Sequence, residues 1–170
     1  MMTPVQTLAH ALSPWHSLYS DSPAVSSVVT GVHLVAMLFG GGFAVAADRS
    51  TLRALRREPA ERVRALHELD AIHRPVLIAL GALFASGVAL AAADVETFAK
   101  SPVFILKLAI VALLLGNGAV LQRTERTLRV ETGPPSRESR LWRRLRTTAY
   151  LSLLLWTSAV VVGTVLVNAA

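Results

Sequence analysis

Two ionisable side chains, His33 and Lys107, lie inside stretches otherwise suited to lipid. Burying such groups in a bilayer is costly, so they are the first places to look for chemistry. His33 sits eight residues into an uncharged run that begins at Val25, about 12 Å along at the helical rise per residue. Lys107 sits five residues into a run that begins at Pro102, about 7–8 Å along by the same rise. If both runs enter from one face of a membrane, imidazole and amine differ in level by about one helical turn. Ser86, from a third run, falls at a similar level. Two chemistries suit this grouping. His33 can serve as an axial ligand to the iron of a b-type haem, with Lys107 as second ligand or as partner of a propionate. Alternatively, His33 hydrogen-bonds a carbonyl or serine on a neighbouring helix, while Lys107 snorkels toward the interface along its aliphatic stem.

A second polar group is expected deeper along the chain's path. His73 falls about 20 Å from the level of His33, by the same rise, so one iron cannot hold both. With Asp48, Asn117 and Gln122 it forms an inner cluster, read either as a separate site or as a network capping helix ends near the interface. His67 and Asp70 stand three apart on a solvated helix face, and His10 and His16 have no diagnostic spacing. There is no cysteine, which excludes disulfides, thiolate metal sites and cysteine nucleophiles. No nucleophile–base pair or dinucleotide motif is present, and Gly40-Gly41-Gly42 lies in an apolar run rather than in a phosphate loop.

The elements that would position these residues are plain. Hydrophobic residues make up 53% of the 170-residue chain, concentrated in four windows: Val25–Ala47, Pro75–Ala93, Pro102–Leu121 and Thr147–Asn168. Each is close to the roughly 20 residues that cross a hydrocarbon layer, and only helices satisfy their own backbone in lipid. The expected fold is therefore all-α, a four-helix integral membrane bundle forming one domain over 1–170. The net charge of +6 is explained by position and does not call for nucleic acid. Loop 48–74 holds seven arginines and segment 122–146 eight, whereas the first 48 residues and the last 24 hold no lysine or arginine. The positive-inside rule places both arginine-rich loops in the cytoplasm, with both termini and loop 94–101 outside.

Local signals mark the helix ends. Ser22-Pro23 and Ser101-Pro102 each offer an N-cap followed by proline at the first helical position. Thr132 to Ser136, with Gly133, Pro134 and Pro135 between, is a turn, predicting a cytoplasmic hairpin between the third and fourth helices. Pro75 should kink or break the second helix at the inner interface. Leu8, Leu12, Trp15 and Tyr19 recur at helical spacing, which predicts a short amphipathic helix in the outer interface over 1–22 rather than a signal peptide. Gly40 to Gly42, the stripe Ala82, Ser86, Ala89 and Ala93, and Gly116, Gly118 and Gly163 allow close helix approach, or room for a flat macrocycle.

These residues carry a resemblance. His33-Leu34 with following small residues and then Asp48-Arg49 resembles the "HLLG…DLR" signature of a family of small bacterial four-helix membrane proteins. Ser101 to Lys107 with Asn117 resembles that family's "NPxFxxK…N" stretch, and the likeness covers roughly residues 8–122. It implies a bacterial inner-membrane location. More distantly, the chain is similar to the copper-resistance D membrane domain and the HemJ-type protoporphyrinogen oxidases, which carry a histidine on the first helix and a lysine on the third. That similarity implies haem b at His33 with Lys107 in the lysine position; the oxidase activity does not transfer, because further aromatic and histidine positions are missing. Three functions follow as expectations: a haem b protein for electron transfer or redox chemistry, a non-catalytic subunit of a larger complex, and a copper or metal transporter. The partners expected are the lipid bilayer, a membrane redox partner or larger complex, and a second copy of the chain.

Overall fold

The computed structural model describes residues 2–58, 61–62, 64, 70–130 and 135–169, with backbone alone at 70–73, 130, 135 and 167–169. The described residues form helices and no strand. Two short helices, α1 (Pro4–Ala11) and α2 (Ser13–Asp21), precede the long α3 (Pro23–Ala54). Then come α4 (Asp70–Ala93), the short α5 (Val95–Lys100), α6 (Pro102–Val130) and α7 (Pro135–Ala169). The four long helices each contain a span apolar enough to cross a membrane. Only 11–28% of each apolar window is buried inside the protein, so the apolar surface points outward. That is the arrangement for a chain whose solvent is lipid rather than water, and the protein is a multi-pass membrane protein.

The helix starts follow their caps. Ser22 Oγ accepts from Val25 N at 3.4 Å, and Ser101 Oγ accepts from Phe104 N at 3.3 Å, each just before a proline that loses no helical bond at that position. Thr3 and Gln6 close a capping box on α1. The expected interfacial element is thus two helices, broken at Leu12 ahead of Pro14. It is tied to the end of α4: Trp15 Nε1 donates to the Ala89 carbonyl at 2.9 Å, and His16 Nδ1 donates to the Ala93 carbonyl. Pro75 does not break α4, which runs on through it. Membrane helices tolerate an internal proline because neighbouring helices and local backbone adjustment satisfy the freed carbonyl.

Packing orders the long helices as α4, α3, α7, α6. α3 packs along α4 and α7, and α7 packs along α6, whereas α4 and α6 share no comparable contact among the described residues. The bundle is therefore open along one seam. Two adjacent glycines let α3 approach its neighbours closely: a Cβ on Gly40 would stand 3.3 Å from Ala79 Cβ, and one on Gly41 would stand 3.3 Å from the Trp156 ring. Gly42, Gly116 and Gly118 face open space. Trp156 joins Ile110, Leu114 and Leu155 in the central core. Leu128, Trp142 and Leu145 form a second core where the arginine-rich hairpin of α6 and α7 meets the end of α3. There the Arg62 guanidinium lies over the Trp142 ring, 5.8 Å from its centroid.

Candidate functional site

α3, α4, α6 and α7 each bring one small or polar residue to the same level on the side away from the arginines. α3 supplies His33 and α4 supplies Ser86 with Gly87. His33 Nδ1 lies 3.0 Å from Ser86 Oγ, so the histidine and serine named from the sequence are brought together. Ser86 is buried, and its hydroxyl sits 2.7 Å from the Ala82 carbonyl and 3.2 Å from that of Leu83. A hydroxyl has a single proton to give, and the short contact to Ala82 takes it. Ser86 Oγ therefore accepts from His33, and Nδ1 carries the ring proton. Nε2 is left with its lone pair, and no hydrogen bond to it is made among the described residues. A histidine whose one nitrogen is held by a donated hydrogen bond and whose other is bare has the form of a metal ligand.

Gly87 makes room for this ring: a Cβ there would stand 3.3 Å from His33 Cε1 and 3.8 Å from Nδ1. Lys107, from α6, is close enough to interact electrostatically with the imidazole. Its Nζ lies 3.5 Å from where a Cβ on Gly163 would stand, so the amine reaches across to α7. Lys107 has no hydrogen-bond or ion-pair partner among the described residues. His33 and Lys107 line one outer cavity of about 220 Å³, walled by Met37, Leu83, Phe84, Phe104 and Trp156 among others. Apart from the two nitrogen groups the lining is apolar.

The inner cluster is assembled differently from the sequence expectation. Asp48 and Gln122 line an inner cavity of about 230 Å³ together with Ser152, and Trp156 borders both cavities. Asn117 is turned away to α7, where its Nδ2 donates to the Thr148 carbonyl at 2.9 Å. The side chain of His73 and the whole of His67 lie outside the described residues. Glu125, not singled out from the sequence, is buried next to Asp48. The signal that could have found it is spacing, since Gln122 and Glu125 share a helix face. No group of three or more histidine or acidic side chains placed to hold a metal occurs among the described residues.

No family model, curated protein or solved structure matches this chain. The reading of the site therefore rests on its own geometry.

Proposed function

We propose that this protein binds haem b in the outer cavity, where His33 would hold the iron through Nε2, and serves in membrane electron transfer. The observation that carries the proposal is the His33–Ser86 hydrogen bond at 3.0 Å. It orients the ring and leaves the ligating nitrogen bare beside an apolar cavity.

The residues present fit such a group in three respects. The donor is an imidazole oriented by a serine. The walls are apolar and aromatic, as suits a macrocycle. Lys107 supplies either a second nitrogen ligand or a cation for a propionate. The outer cavity alone is smaller than the roughly 300–1,000 Å³ usual for ligand sites; the open α4–α6 seam provides the remaining width. Bound haem would supply one-electron redox chemistry. The chain's own part is to hold the imidazole in one tautomer, to keep water away with Leu83, Phe84 and Phe104, and to place a cation at Lys107. The resemblance at His33 and Lys107 points the same way. The arginine-rich hairpin fits a cytoplasmic position and the termini a periplasmic one, in a bacterial inner membrane.

The test is the absorption spectrum of protein purified from haem-replete cells. A Soret band is expected that is lost in His33→Ala and shifted in Ser86→Ala. A colourless preparation that also fails to take up added haemin would overturn the proposal.

A further inference from the structure

We infer that the inner cavity is a second ligand site, built for a lipid-soluble hydroquinone: a neutral ring bearing hydrogen-bond-donating hydroxyls and an apolar tail. None of His33, Ser86 or Lys107 lines it, so this inference stands whether or not haem occupies the outer cavity.

The polar requirement comes from Asp48. It is 2% exposed, it lines the cavity, and its Oδ2 has no hydrogen-bond partner among the described residues. Ser152 lines the same cavity beside this carboxyl group. One turn along α3, Thr51 is equally buried, and its Oγ1 has no partner among the described residues either. A buried carboxyl oxygen lacking a donor is costly, and a ligand O–H supplies what the described residues do not. Gln122 and Ser152 add groups able to bond a second polar atom of the same head.

Charge selects among lipid-soluble donors. An anionic head, such as a phospholipid phosphate, would meet the Asp48 carboxyl group that lines the cavity; Glu125, buried nearby, is ion-paired with Arg129 at 3.7 Å. A hydroxyl on a neutral ring avoids that repulsion. The cavity's volume of about 230 Å³ suits a single-ring head, and the Trp156 indole offers an aromatic face for it. The tail has a way out. Leu77 on α4 and Leu115 on α6 line the cavity yet are 55% and 49% exposed, and the two helices do not close against each other. A tail passing between them lies in lipid throughout.

The experiment is calorimetric titration of the protein, in phosphatidylcholine nanodiscs, with a short-tailed benzohydroquinone kept reduced. Saturable binding is expected. Asp48→Asn weakens it about tenfold or more, the loss of one hydrogen bond to a carboxylate. Gly118→Leu abolishes it, because Gly118 lines the cavity and a side chain there meets open space rather than backbone. In protein prepared without haem, His33→Ala leaves it unchanged, which separates this site from the haem proposal. Absence of binding, or equal affinity in the wild type and a folded Gly118→Leu variant, overturns the inference. So does competition by phosphatidylethanolamine that depends on Asp48, which would assign the carboxyl to a lipid ammonium instead.

Discussion

Gly41 and Trp156 are in direct contact, with a Cβ on the glycine falling 3.3 Å from the indole Cε3. Because Trp156 borders both cavities, this one contact between α3 and α7 sets the position of the wall between them.

Enlarging Gly41 should therefore be felt widely. Gly41→Val forces the indole or the helix to move and is expected to destabilise the bundle by about 1–3 kcal/mol, the usual cost of overpacking. Gly42→Ala, where the added methyl meets nothing within 4 Å, should stay within about 0.5 kcal/mol of wild type. Thermal unfolding in mild detergent compares the two, and equal losses would refute the contact.

The His33–Ser86 bond should appear as coupling rather than as a simple sum. In a double-mutant cycle of His33→Ala and Ser86→Ala, the interaction energy is expected at about 0.6–1.7 kcal/mol, the range for hydrogen bonds between membrane helices. Strict additivity would show that the two side chains do not bond.

Lys107 is an amine with no partner among the described residues, set in an apolar cavity. Replacing an unpaired, half-buried cation by an apolar chain of similar length removes a desolvation cost. Lys107→Met should thus raise the melting temperature of the ligand-free protein while abolishing any preference for ligands bearing a carboxylate. A lower melting temperature would mean that the amine stabilises the fold.

Trp15 ties the short N-terminal helices to α4 through the Ala89 carbonyl. Trp15→Phe keeps the ring and loses the bond, a change worth about 1 kcal/mol. It should increase hydrogen exchange over α1 and α2 with little effect on the four long helices. Unchanged exchange would show that the bond does not hold them.

The absence of cysteine makes the orientation directly measurable. In intact cells a membrane-impermeant thiol reagent should label Ser17→Cys at once, and Arg140→Cys only after permeabilisation. The reverse pattern would invert the positive-inside assignment.

Much of this was legible in the sequence because lipid imposes strict rules. Span length, the caps at Ser22 and Ser101, and the packing of α6 along α7 follow from hydropathy and backbone satisfaction; residues 131–134 of the expected turn lie outside the described residues. The common level of His33, Ser86 and Lys107 followed from the helical rise alone. What stayed hidden depends on which faces meet. Gly40, Gly41 and Gly42 look alike in sequence, yet only the first two touch a neighbouring helix. Nothing in the sequence sets Trp156 apart from its apolar neighbours, although packing makes it the wall between two cavities. Asn117 pairs with the α7 backbone rather than with Asp48 because the rotation of α6 is fixed by its apolar contacts with α7. In lipid no water-facing side exists to reveal such rotations in advance.

Leu80, Leu114, Leu115 and Trp156 belong to both cavities, so neither compartment can be reshaped alone. Any occupant that displaces this partition changes the free energy of filling the opposite compartment. By thermodynamic reciprocity the second occupant acts on the first by the same factor. Two molecules that never touch would then sense each other through a single indole.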